Sequence, residues 1–123
     1  AAVPIFIEKA VHNEDITIFG DGGQTRDFIY VKDIVGALSF AAENTGVTGV
    51  FNAGYGGQIT INDLATKIIS TAGSSSTVIH ADERPGDVRH SRASAEKLLA
   101  AGWKPAFSLE DGLATTFEYF REL

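Results

Sequence analysis

The sequence predicts an α/β chain in which about four short strands pack with about five helices. Three observations lead there. Apolar residues recur at helical spacing in several stretches, short β-branched runs lie between them, and glycines or capping pairs mark the joins. At 123 residues, with 44% hydrophobic and 21% charged residues, the chain has the length and composition of one globular domain over 1–123. Disorder, collagen and coiled coil are excluded as whole-chain answers.

Val3, Phe6, Ile7, Ala10 and Val11 form a helical stripe, and Pro4 suits a first turn, so a helix is expected from Pro4 to about Asn13. Ile16 to Phe19 alternates and is β-branched, as a strand does. Gly20 to Asp27 reads as a loop, and Phe28 to Val31 as a second extended stretch. Asp33 stands where a cap belongs, ahead of a helix whose apolar face is Ile34, Ala37, Leu38 and Ala41 and which Gly46 and Gly49 end. Val50 to Ala53 is an expected strand, and Gly54 to Gly57 a turn.

Thr60 with Asp63 resembles a capping box. The helix behind it carries Ile61, Leu64, Ala65, Ile68 and Ala72 and stops at Gly73. Ser74 to Ser76 connects to a strand from Thr77 to His80, and Pro85-Gly86 signals a turn in a charged segment. Ser94 caps a short helix with Leu98 and Leu99, which Gly102 ends. Ser108 with Asp111 opens a last helix striped by Leu109, Leu113, Phe117 and Phe120. The resulting order is α-β-β-α-β-α-β-α-α.

Sixteen Asp and Glu against ten Lys and Arg give a net charge of -6. That balance argues against a nucleic-acid surface or a polybasic membrane patch. No apolar run approaches the ~18 residues of a membrane-spanning helix, and Ala1 to Ala10, with Pro4, Glu8 and Lys9, does not read as a signal peptide. The absence of cysteine excludes disulfides, thiolate metal sites and a Cys nucleophile, and fits a cytoplasmic location. His12, His80 and His90 have no metal-ligand spacing, so no metal is expected.

Two segments carry candidate chemistry. In Gly20–Asp27 the glycines allow close backbone approach and Arg26 offers a forked donor to a phosphate. The alternative is a plain loop with Arg26 paired locally to Asp27. In Glu83–Arg92, Arg84, Arg89 and Arg92 gather around a rigid turn, either to hold an anion or simply to balance Asp82, Glu83 and Asp87. Neither segment matches the dinucleotide fingerprint, which needs a strand before and a helix after. Tyr30, Tyr55 and Tyr119 each lack a lysine four residues later.

The run from Ile16 through Phe19, Gly20-Asp21-Gly22-Gly23-Gln24-Thr25-Arg26-Asp27 and on to Asp33 closely resembles a signature of the NAD-dependent nucleotide-sugar epimerase/dehydratase family. These are the extended short-chain dehydrogenases, of which UDP-glucose 4-epimerase is a member. Val50–Gly54, Arg84–Ser91 and Gly102-Trp103-Lys104-Pro105 resemble later family segments in the same order. The resemblance covers essentially the whole chain and implies the C-terminal portion of the family fold, lacking the N-terminal dinucleotide-binding half.

By that resemblance, Thr17 and Phe19 pack on a nucleotide base, Arg26 and Arg84 clamp a diphosphate, Asp87 binds a ribose hydroxyl, and Ser91 lines the sugar pocket. A small residue at Ser91 implies room for a 2-acetamido group. The implied partner is a nucleotide-diphosphate sugar, with uridine favoured. The family's glycine fingerprint, its Ser/Thr and its Tyr-x-x-x-Lys pair are not in this sequence, so no catalytic residue is assigned. NAD is implied for the parent enzyme and no cofactor for this chain alone. Without the cofactor half, the Val50 strand and the helix of Ile34 are expected to expose apolar faces, leading to a homo-oligomer, either a dimer or a swapped assembly, or else to a rearranged compact form. A stand-alone binding or assembly module derived from the family is the competing expectation.

Overall fold

A computed structural model describes residues 2–44, 46, 49, 52–55, 57–86 and 96–122. The first helix, α1 (Ala2–Val11), buries Phe6, Ile7 and Ala10, one face of its helical repeat. It starts two residues ahead of Pro4, which still lies in the first turn, where its missing N–H is harmless. Asn13 ends it in the left-handed region at φ 55°, while Glu14 N donates back to Lys9 O at 2.9 Å. The Asn13 Oδ1 then accepts from Ser75 N at 2.9 Å, which ties the serine connector to the helix end.

Strand β1 (Ile16–Phe19) pairs in parallel with a later strand, β4 (Val78–Ala81), in the register Ile16↔Val78 to Phe19↔Ala81. Ile16 and Ile18 point into the core, and Thr17 and Phe19 point the other way, as the two-residue period requires. Strand β2 is only Thr25–Arg26 and pairs antiparallel with β3 (Ile59–Thr60). The element order is the one expected, but these two strands are not the segments expected to form them. Phe28 to Tyr30 is not a strand, and Val31 already begins α2 (Val31–Glu43). Of the expected strand Val50–Ala53, Asn52 and Ala53 form no strand, and residues 50 and 51 lie outside the described residues.

Helix α3 (Ile61–Ala72) follows its local signals. Thr60 Oγ1 accepts from Asp63 N at 3.1 Å, and Gly73 closes the other end at φ 59°. Helix α4 (Glu96–Ala100) buries Leu98, and α5 (Leu109–Arg121) is capped by Ser108, whose Oγ accepts from Asp111 N at 3.1 Å. The expected Ser94 cap lies outside the described residues.

Helices α1 and α3 pack on β1, and α5 packs on both of them. Their core centres on Ile7, Ile16, Ile18, Leu64 and Ile68, all essentially without exposure. Burying each such side chain is worth about 1.5–3 kcal/mol, so this layer holds the fold together. Lys67 of α3 also reaches Glu110 of α5 at 2.7 Å across the surface. A second, smaller core joins α2 to α4 through Ala37, Leu98 and Trp103, flanked by Ile29, Phe40 and Ala53.

Helix α2 corrects two expectations. Asp33 does not cap it; Tyr30 is the N-cap residue and makes no side-chain bond. Asp33 sits inside the first turn, 4% exposed, and its carboxylate accepts from Ala106 N at 2.8 Å and Phe107 N at 3.0 Å. The residue type suits a cap, but two amides from a distant loop claim it instead. The helix ends at Glu43 with an extended Asn44, before either glycine. Its apolar stripe is also largely uncovered. Val31 (63%), Val35 (55%) and Leu38 (68%) are exposed, and only Ala37 of the expected face is buried. The apolar exposure expected along this helix is present.

Candidate functional site

A cleft of about 440 Å³ lies beside β1, between it and the start of α1. Thr17 and Phe19 enter it from β1, Gln24 and Arg26 from the loop and strand that follow, Arg84 from the segment after β4, and Ile5 and Phe6 from α1. Of the six residues singled out from sequence, four (Thr17, Phe19, Arg26 and Arg84) therefore share one cavity. Asp87 and Ser91 lie outside the described residues.

The parallel pairing explains the convergence. It places Phe19 opposite Ala81, so the chain leaving β4 passes the end of β1 and delivers Arg84. The Arg84 guanidinium lies over the Phe19 ring, 3.8 Å from its centroid. An arginine held over an aromatic face is attracted to the ring and still carries N–H donors enough to pair with a phosphate or carboxylate. Arg26 is half-buried and fixed by its own strand, with Nη1 donating to Thr25 O at 2.7 Å. Two guanidinium groups on separate segments thus bound one concave, mostly apolar space, an arrangement suited to an anion with an attached ring.

Two polar residues of this region escaped the sequence reading. Gln24 is buried, lines the cleft, and closes the loop by donating Nε2–H to Phe19 O at 3.2 Å. Asn62 joins that loop to α3, donating its backbone N–H to Gly22 O at 3.0 Å and Nδ2–H to Asp21 O at 2.8 Å. Neither had a local sequence signal, because each partner is fixed by loop geometry or comes from another part of the chain.

The glycine loop after β1 runs into β2 rather than into a helix N-terminus, and the starts of α3 and α5 are taken by Thr60 and Ser108. Among the described residues, no group of three or more His, Asp or Glu side chains is placed to hold a metal ion. Among the same residues, no helix is long and apolar enough to cross a membrane.

Comparison with known proteins agrees with this architecture. The model of the NAD dependent epimerase/dehydratase family matches residues 1–54. Sequence and fold together identify the chain with that family, the extended short-chain dehydrogenases, over part of the family's length. Within it, the chain is similar to UDP-glucose 4-epimerases. It is 39% identical to the Thermotoga maritima enzyme solved with UDP-glucose, with a TM-score of 0.91 over 99% of this chain and 40% of that one. It is 38% identical, at a TM-score of 0.90, to a UDP-N-acetylglucosamine 4-epimerase from Methanobrevibacter ruminantium in complex with UDP-N-acetylmuramic acid, covering 99% of this chain and 39% of that one. The UDP-glucose 4-epimerase of Mycolicibacterium smegmatis is 36% identical over 97% of this chain and 38% of its own length. The chain thus spans about two fifths of the length of the relatives it matches.

Proposed function

We propose that this chain is the substrate-binding part of an NAD-dependent nucleotide-sugar epimerase or dehydratase and that the cleft beside β1 takes the diphosphate and base of a UDP-sugar. The observation that carries this reading is the meeting of Thr17, Phe19, Arg26 and Arg84 around one cavity. On this reading Arg26 and Arg84 clamp the diphosphate, and Thr17 and Phe19 pack on the base. Asp87 binds a ribose hydroxyl, and Ser91 leaves room for a 2-acetamido group on the sugar. The choice of a uridine nucleotide is supported by the relatives solved with UDP-glucose and UDP-N-acetylmuramic acid.

On the same reading, the chain by itself turns over no nucleotide sugar and holds no NAD. The sequence offers no Tyr-x-x-x-Lys pair to take a sugar hydroxyl proton and no glycine fingerprint to seat a pyrophosphate. The exposed stripe of Val31, Val35 and Leu38 supports self-association into a homo-oligomer.

Calorimetric titration with UDP tests the reading. Binding by the unmodified chain, weakened at least about tenfold by either Arg26→Ala or Arg84→Ala, is expected from the loss of a charge-assisted fork. No binding at millimolar UDP overturns the substrate role. Conversion of UDP-galactose by the chain alone overturns its inactivity.

A further inference from the structure

Backbone bonds hold the ends of the loop between Phe19 and Arg26, with Gly20 N donating to Ala81 O at 2.9 Å and β2 paired to β3, and one side chain, Asn62, grips its middle. Asn62 is half-buried at the start of α3 and spends its whole carboxamide on neighbours. Its Nδ2–H donates to Asp21 O at 2.8 Å, and its Oδ1 lies 2.9 Å from Nε2 of His80 on β4. Because a carbonyl takes the amide N–H, the oxygen must face His80, and His80 must carry its proton on Nε2. One residue therefore links the loop, the helix start and the strand that leads to Arg84.

Gly22 supplies a second and independent observation. At φ 75° it sits where a Cβ would overlap the Asn62 carboxamide. The loop approaches Asn62 as closely as only glycine allows. The Asp21 side chain adds rigidity by accepting from Gly23 N at 2.8 Å, and the loop's far end is held by Ile61 N donating to Gln24 O at 3.0 Å.

We propose that Asn62 is a positioning residue of the cleft: by joining the Asp21–Gly22 turn to His80 it fixes the spacing between the Arg26 wall and the Arg84 wall. The inference rests on the diphosphate reading above, since that spacing matters most to a ligand gripped by both arginines. Asn62 touches no ligand on this account and acts through the two segments it holds.

The test titrates UDP and uridine separately into the full chain and its variants, followed by amide chemical shifts. Asn62→Ala is expected to weaken UDP about fivefold and uridine less than about twofold, the loss expected for removing modest hydrogen bonds that act on the phosphate grip. Gly22→Ala is expected to reproduce this split by displacing the carboxamide. His80→Leu weakens UDP in the same selective way, whereas His80→Gln, which keeps an Nε2–H donor, stays within about twofold of the parent. Equal losses on both ligands, or an unchanged UDP affinity in Asn62→Ala, overturn the proposal. Should Asn62→Ala fail to fold, the exposed His80 pair of variants decides the matter. Should the unmodified chain bind neither ligand, the diphosphate reading fails on its own. Hydrogen exchange then judges the clamp. Amides of Phe19–Arg26 and Val78–Ala81 must exchange at least about fivefold faster in Asn62→Ala with α5 unchanged, and uniform exchange overturns it.

Discussion

The two cores of this molecule differ in how they are closed. The α1–α3–α5 layer seals β1 with side chains that leave almost no surface, and α3 and α5 carry their own side-chain caps. The α2–α4 region rests on Ala37, Leu98 and Trp103 and leaves Val31, Val35 and Leu38 in the open. It is fastened to the rest by a buried carboxylate on two loop amides rather than by a continuous apolar layer. The candidate cleft lies beside the well-sealed part, as a binding site needs a stiff support. The less covered part lies away from the cleft lining, and its apolar residues stand exposed.

The contrast breaks most severely in the main core. Leu64→Ala is expected to cost about 3 kcal/mol, through lost transfer energy and a cavity, while Leu98→Ala costs no more than about 2 kcal/mol. Denaturant melts followed by circular dichroism give both values, and equal losses would erase the distinction between the two cores. Next comes the fastening. Asp33→Ala strands the Ala106 and Phe107 amides and is expected to cost about 2 kcal/mol, with faster hydrogen exchange confined to α2, α4 and the 103–107 loop. A global rather than regional increase would count against that division.

A smaller effect on stability, but a large one on assembly, is expected at the stripe. At concentrations low enough to keep the chain dissociated, Leu38→Ser should leave the melt within about 0.5 kcal/mol of the parent, because the side chain is then in water. At higher concentrations it should also lower the apparent mass by light scattering, and an unchanged mass would remove this face from any self-association. The weakest effect lies at the Lys67–Glu110 pair. The hydrogen bond from Lys67, followed by the backbone hydrogen bond and the Lys67 charge, lowers the Glu110 carboxyl below its ordinary 4.5. A carboxyl lowered in the folded state stabilises above its unfolded value, and that stability fades as pH falls below about 4.5 towards the folded value. Glu110→Gln should therefore flatten the acid limb of a melting profile slightly and leave neutral pH almost unchanged. An identical acid limb in the two proteins would show that the pair contributes nothing there.

What was legible in the sequence follows the range of the forces involved. Everything that defines α3 lies within its own window: the Thr60–Asp63 cap, the Ile61 to Ile68 stripe and the Gly73 stop. All of it appears in the structure. The β2–β3 pair was missed because two residues at each of two separated places carry no periodicity; only the pairing Thr25↔Thr60 makes them strands. Phe28 to Tyr30 has strand-like residues, but those side chains wall a groove with Phe107 and Leu109 instead of a ladder. Asp33 has a cap's chemistry and a different task because its partners come from the far end of the chain. In α2 the apolar spacing was visible, yet spacing cannot say whether anything covers it. The candidate site divides the same way. Arg26 and Arg84 stand out as charges in matching motifs, whereas Gln24 and Asn62 matter only through carbonyls that the fold brings to them.

The parallel register between Ile16 and Val78 also bears on how the molecule comes to exist. Joining these strands closes a loop of about sixty residues, an entropic cost that no local contact repays in advance. The helices can form early, but Phe19 and Arg84 meet only once that closure is complete. The cleft is thus expected to be among the last features to appear during refolding. A UDP-sensitive signal in stopped flow should lag the far-ultraviolet helical signal, and for that interval a newly made chain would have its secondary structure and no ligand grip.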